Sequence, residues 1–290
     1  MSEVKALLVF CEGSHDIAFV QQVLKLCLGF HFVKWKFSEY PSPFNSLFKK
    51  SVQDHAAGDL SLDMAHKFFL PDNVLQKSEH LVLLFNSGGS SQTEKVKLLL
   101  KGFLSLLDQS TVFPDNSTAI VTQAKYLFVY DADHNGTAQL FKEIKENFES
   151  IDEQPTWSFN NLIVLSHNHF AAIADDKAAY IWGENILTGT LEDILLPMVE
   201  NDQKEIIEKA SNFIDSSFEW KTSSTDKQQQ IAEISKRKKS IITCVGQRNN
   251  SGYSLSVIIK NETKKLIKDD TFLQNSSVIS FADFIEKFMK

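Results

Sequence analysis

Residues 6–16, Ala6-Leu7-Leu8-Val9-Phe10-Cys11-Glu12-Gly13-Ser14-His15-Asp16, pass from an unbroken apolar run directly into two acids spaced around a glycine. A short run that is apolar at every position predicts a strand covered on both faces. Ser14 is the expected N-cap of a following helix, whose apolar stripe is Ile17, Val20, Val23, Leu24 and Leu28. The same order of strand, glycine turn and helix recurs in residues 80–85, 86–91 and 93–107. It recurs again in residues 126–130, 131–136 and 137–148. Strands alternating with helices at this spacing predict an α/β fold with a mostly parallel sheet flanked by helices.

Residues 32–37 are expected to form a further strand and residues 162–165 a fourth core strand. Between them, residues 38–77 show Pro41 and Pro43 but no strong strand pattern, and are expected to be a helical insertion. The composition turns helical from about residue 190, with a polar loop or exposed helix at 221–230. The basic run Lys236-Arg237-Lys238-Lys239 precedes an aliphatic segment, residues 241–245, and the last helix covers residues 281–289. No internal repeat or low-complexity linker interrupts the chain. One domain is expected, with a core of about residues 1–200 and a C-terminal elaboration of about residues 201–290.

The bulk numbers narrow the class. Of 290 residues 43% are hydrophobic, including 23 Phe, enough for a sizeable core. No apolar stretch reaches the roughly 18–20 residues that span a bilayer, and the first residues do not read as a secretion signal. No membrane association and a cytoplasmic location are therefore expected. Three cysteines, Cys11, Cys27 and Cys244, without paired spacing argue against a disulfide framework or a zinc ribbon. A net charge of -7 provides no global attraction for nucleic acid, so phosphate binding would rest on local cations or metal.

The second acidic cluster, Asp131-Ala132-Asp133, follows the apolar run of residues 126–130 as Glu12 and Asp16 follow the first. In open α/β sheets ligands bind beyond the carboxyl ends of the strands. Carboxylates from two strand ends, joined by Asp16 four residues after Glu12, form an oxygen donor set suited to magnesium or manganese. The plain alternative for either cluster alone is helix and turn capping. An EF-hand reading of residues 131–142 fails because Lys142 stands where the loop needs Glu. A haloacid-dehalogenase phosphatase leaves Glu12 without a role. There is no Walker sequence and no Gly-x-Ser-x-Gly elbow. His15 and His134 lie inside the acidic motifs, with His134 a candidate for supporting a ligand. His167 and His169 more simply read as surface polarity.

The acidic set resembles the Toprim pattern, in which a Glu after one strand and an Asp-x-Asp after a later one hold magnesium for phosphodiester chemistry. Gly189-Thr190-Leu191-Glu192-Asp193 is similar to a segment of an uncharacterised Toprim-like family (DUF3226-like) related to the overcoming-lysogenization-defect (OLD) nucleases. The basic helix, aliphatic segment, Gly246, Gly252 and the final Phe-rich helix match in order. The resemblance implies a Toprim-like, Rossmann-like fold and a metal set of Glu12, Asp16, Asp131, Asp133, Glu192 and Asp193. It also implies Glu12, Lys238 and Lys239 as the catalytic groups, although a solvated helix face explains the two lysines equally well.

The function expected is magnesium- or manganese-dependent hydrolysis of DNA or RNA by activated water, with one or two ions. A partner ATPase is also implied, since the related nucleases carry an ATPase domain. Two alternatives stay open. One is a non-catalytic module binding a phosphorylated ligand or a partner. The other is an Asp-x-Asp glycosyltransferase, which needs Asp131 and Asp133 but not Glu12.

Overall fold

The computed structural model describes residues 2–56, 70–88, 93–112, 119–133, 135–148, 151, 163–164, 170–174, 176–183 and 188–290. The stretch that opens the chain forms β1 (Ser2–Cys11) and is followed by α1 (Ser14–Gln22). In β1, Leu7, Val9 and Cys11 point to one side of the sheet and Ala6, Leu8 and Phe10 to the other, all buried. That two-residue alternation between two covered faces is why the strand reads as continuously apolar.

After α1 come a single π-helical turn (Val23–Cys27), β2 (His31–Phe32), α2 (Phe44–Ala56), β3 (Asn73–Lys77) and β4 (His80–Asn86). Then follow α3 (Thr93–Val112), β5 (Ala119–Asp131), α4 (Gly136–Phe148), β6 (Ile163–Val164), β7 (Phe170–Ala174) and β8 (Lys177–Trp182). The strand order is β2-β3-β4-β1-β5-β8-β7-β6. The central four, β4, β1, β5 and β8, run parallel, and antiparallel strands extend the sheet on both sides. The expected α/β sheet with flanking helices is therefore present.

Several local expectations give way. Of residues 32–37 only Phe32 lies in a strand, paired with His31 before it as β2, and a 3-10 turn forms at Phe37–Glu39 ahead of Pro41 and Pro43. The insertion contains α2 but also β3, whose Val74 and Leu75 are buried against β4. Residues 163–164 form the outermost strand, not a core one. The fourth central strand is β8, with Ala178, Ala179, Tyr180, Ile181 and Trp182 all buried.

The C-terminal chain forms α5 (Glu192–Asp202), α6 (Lys204–Ser217), α7 (Lys227–Gln247), α8 (Leu255–Ile259), α9 (Asp269–Gln274) and α10 (Ser276–Met289). These helices share a hydrophobic layer with α1 and one face of the sheet, while α2, α3 and α4 cover the other. Phe281 of α10 lies 4.6 Å from the Tyr180 ring and 4.7 Å from Trp182, centroid to centroid. Such aromatic contacts, added to the area they bury, make this layer integral to the sheet. Residues 236–245 are one continuous helix, and Gly246 is its last turn, not a break: a Cβ there would stand 2.6 Å from Ile258 Cγ2.

One topological feature positions the site. Leaving β1, the chain enters α1 on one face; leaving the adjacent β5, it enters α4 on the opposite face. Neighbouring parallel strands whose connections diverge in this way open a crevice at their carboxyl ends.

Candidate metal centre

Glu12 directly follows β1, and Asp131 ends β5 beside it. Glu12 Oε2 faces the Asp131 backbone N–H at 3.4 Å. Asp131 Oδ1 accepts a hydrogen bond from Leu191 N–H at 2.9 Å, which draws the N-terminus of α5 to the same crevice. Asp133 stands two residues on, with φ of 45°. That left-handed backbone is uncommon outside glycine, although Asp tolerates it better than most residues. It is held by a bridge in which Asp133 N–H donates to Gly189 O at 2.9 Å. Three of the sequence motifs thus meet through backbone contacts.

The α1 terminus contributes Asp16. Gly13, not Ser14, is the N-cap, and Asp16 Oδ2 accepts its N–H at 2.8 Å. The capping is one-way, since glycine has no side chain to return it: a carboxylate at the third helical position reaches back to an otherwise unpaired backbone donor. Asp16 Oδ1 remains buried without a hydrogen-bond partner. Glu192, at the start of α5, is 0% exposed, and neither of its carboxylate oxygens accepts a hydrogen bond. His15 Nε2 lies 3.5 Å from Glu192 Oε1 and 3.8 Å from Asp16 Oδ2, and Lys239 Nζ lies 3.4 Å from Glu192 Oε1.

Asp193 plays a different part. Its Oδ2 accepts Thr190 N–H at 2.7 Å, and its Oδ1 pairs with Lys238 of α7. Both groups are thereby engaged in holding α5 against α7. Lys239 is more exposed and meets Glu192 without a hydrogen bond. His134, Gly89, His167 and His169 lie outside the described residues. His15, noted in the sequence only as a neighbour of the acids, spans Asp16 and Glu192. No sequence pattern marked the backbone donors of Thr190 and Leu191, because every residue type carries them.

Crowding shows in the titration behaviour. Burial, then the charges of Asp133 and Asp16, push Glu12 up to about 7. Burial and the charge of Glu192 push Asp16 up to about 7. Asp131 is raised well above the carboxylate range by burial, with Asp16 the largest charge acting on it. Burial and the nearby Lys239 hold His15 below its ordinary value. A site rich in acid and short of hydrogen-bond donors favours neutral carboxyls unless a cation is supplied.

The donor set, oxygen throughout, suits a hard divalent ion. The buried, unpartnered oxygens of Glu192 and Asp16 supply unused lone pairs. Among the described residues, no three His, Cys, Asp or Glu side chains already stand as a ready coordination set. The side chains are held by backbone caps, Asp16 on Gly13 and Asp131 on Leu191, around a shared crevice.

Beside the acids lies a cleft of about 180 Å³ between the end of β5 and one face of α4. Tyr130, Leu140, Ile144 and Phe148 give it apolar walls, and Glu12, Asp131 and Asp133 line it as well.

A family model described as a protein of unknown function, DUF3226, matches residues 6–290. The chain belongs to the DUF3226 family. The match takes in both acidic clusters, the α5 terminus and the C-terminal helical layer, so this DUF3226 chain carries the whole site within the family region. A comparison with curated proteins finds no match. Among solved structures, the chain is similar to the crystal structure of a hypothetical protein from Pyrococcus horikoshii OT3. The TM-score is 0.49 and the identity 13%, covering 99% of this DUF3226 chain and 100% of the other. None of the described helices is long and apolar enough to cross a membrane.

Proposed function

We propose that this protein is a Toprim-like phosphodiesterase that hydrolyses DNA or RNA with the help of magnesium or manganese. The observation that carries the reading is an excess of buried acid at the crevice. Glu12, Asp16, Asp131 and Glu192 converge there, and among the described residues Lys239 is the cation that reaches Glu192. Burying that much like charge is unfavourable without a counter-ion.

A divalent ion held by Glu12, Asp131 and Asp133, with Asp16 and Glu192 behind them, would supply Lewis-acid stabilisation of the phosphate and an acidic bound water. The chain's own groups have distinct tasks. Glu12, raised to about 7 without a cation, would be held in its charged form as a ligand once the ion is present. Lys239, partly exposed beside Glu192, provides positive charge for phosphate oxygens. Lys238, paired with Asp193, fixes α7 and so positions its neighbour.

The test is cleavage of single- and double-stranded DNA and RNA with magnesium, manganese or chelator, using Glu12→Gln and Asp131→Asn as controls. Metal-dependent cleavage lost in both variants is expected. Cleavage that persists unchanged in both would sink the reading. Metal and oligonucleotide binding without turnover would instead favour a non-catalytic module.

A further inference from the structure

We infer that the cleft beside the acids holds one unstacked nucleobase of the chain being cleaved, so that the preferred substrate is single-stranded or locally opened nucleic acid. This rests on the phosphodiesterase reading and assigns its substrate class. Leu140, Glu143, Ile144, Asn147 and Phe148 follow the spacing of one helix face, and that face of α4 forms a wall of the cleft. Ile144 and Phe148 are buried, while Asn147 and Glu143 are half-buried. At about 180 Å³ it is smaller than the ~300–1,000 Å³ of pockets for drug-sized ligands, which suits one ring system and not a stacked pair.

Charge decides what enters. The lining carries four carboxylates, Glu12, Asp131, Asp133 and Glu143, and among the described residues no Lys, Arg or His. Three of these would hold the ion; the rest of the lining, Glu143 and Asn147 with the apolar side chains, offers no cation to a phosphate. A neutral base needs none: its flat faces suit the apolar wall, and its amino and ring N–H groups suit carboxylate and Asn acceptors. Because Glu12, Asp131 and Asp133 belong to the same lining, a base in the cleft has its backbone phosphate within reach of the acid crevice. A base paired and stacked inside a duplex cannot reach this position without leaving the stack.

The experiment has two arms on the full chain. In the first, adenosine, guanosine, cytidine and uridine, which carry no phosphate and need no metal, are titrated by NMR against wild type, Leu140→Arg and Asn147→Leu. Saturable binding of at least one nucleoside is expected, weakened about tenfold or more in the variants. Asn147→Leu, similar in size and half-buried, keeps the test alive if Leu140→Arg fails to fold. In the second arm, single-stranded oligonucleotides with and without one abasic residue are compared for magnesium-dependent cleavage around that residue. Slower cleavage beside the abasic residue supports the inference. No nucleoside binding together with equal cleavage of both oligonucleotides overturns it while leaving the phosphodiesterase reading intact. Nucleoside binding lost in the variants, with no cleavage of any oligonucleotide, removes the phosphodiesterase reading and the assignment to a chain being cleaved, and leaves a nucleoside site alone.

Discussion

The carboxylate of Asp131, at the end of β5, accepts the backbone N–H of Leu191, sixty residues later in the chain, at 2.9 Å. A side chain expected to be a metal ligand is therefore also the anchor of α5. The expected ligand and the architectural tie are one residue. The two roles separate by substitution: Asn keeps an acceptor oxygen but not the charge, while Ala keeps neither.

Asp131→Ala is accordingly expected to be less stable than Asp131→Asn. A buried backbone donor left without an acceptor costs about 1–3 kcal/mol. Urea denaturation in chelator measures the difference, and equal midpoints with equal slopes would show that the tie contributes nothing. Both substitutions should weaken manganese binding, since both remove the negative charge.

The pH dependence of the metal-free protein follows from Glu12 and Asp16, both pushed up to about 7, chiefly by burial. In the unfolded chain each titrates near 4, so between pH ~4 and ~7 the native state holds protons that the unfolded state has released. Stability contributed by these groups is full below the unfolded values and is lost as pH rises through about 7. Glu12→Gln should flatten that decline and make the metal-free protein more stable at pH 8, on the order of 2–3 kcal/mol. Thermal or urea melts of both proteins in chelator at pH 5 and 8 provide the check. A wild-type protein no less stable than Glu12→Gln at pH 8 would contradict it.

How far these features were legible in the sequence depends on the range of the interactions involved. β1, β4 and β5 were readable because their buried faces leave an unbroken apolar signature in a few consecutive residues. Glu12, Asp16, Asp131 and Asp133 were readable because a strand end followed by acids is also local. β8 was missed: its run Lys177-Ala178-Ala179-Tyr180-Ile181-Trp182 begins with a charge and two alanines, and its central place comes from pairing with β5. β3 was missed for a similar reason, because Asn73-Val74-Leu75-Gln76-Lys77 is too short to outweigh the polar sequence around it. The division of labour between Lys238 and Lys239 was not readable at all. Adjacent residues on a helix point about 100° apart, and only the packing of α7 on α5 decides that one meets Asp193 and the other Glu192.

That division carries its own expectation. Lys239→Met leaves Glu192, fully buried and without hydrogen bonds, deprived of the cation 3.4 Å away. The loss should be about 1–2 kcal/mol, smaller than for a fully buried pair because Lys239 itself is partly solvated. Glu192→Gln in the Lys239→Met background should recover much of it. A double-mutant cycle by chemical denaturation reads the coupling directly, and additive effects would mean that the contact carries no energy.

Gly246 tests whether the C-terminal helices are part of the core in energetic terms. A helical glycine exchanged for alanine ordinarily gains about 1 kcal/mol. Here the added methyl meets Ile258 at 2.6 Å from Cγ2 and 3.0 Å from Cδ1, closer than carbon atoms approach without displacement. Ile258 is 0% exposed and belongs to the same hydrophobic layer as Val245, Phe281 and the β1 face. Overpacking of a rigid interior costs typically ~1–3 kcal/mol and opposes the helix gain. Gly246→Ala is therefore expected to be neutral to destabilising by about 2 kcal/mol, against the usual helix trend. Ile258→Ala removes both offending carbons, so Gly246→Ala should become stabilising in that background. The sign change, measured by thermal and urea unfolding, distinguishes a close helix contact within the core from a glycine that merely ends a helix. If Gly246→Ala stabilises the wild-type protein by the ordinary helix increment, α7 and α8 do not pack as closely as the structure places them.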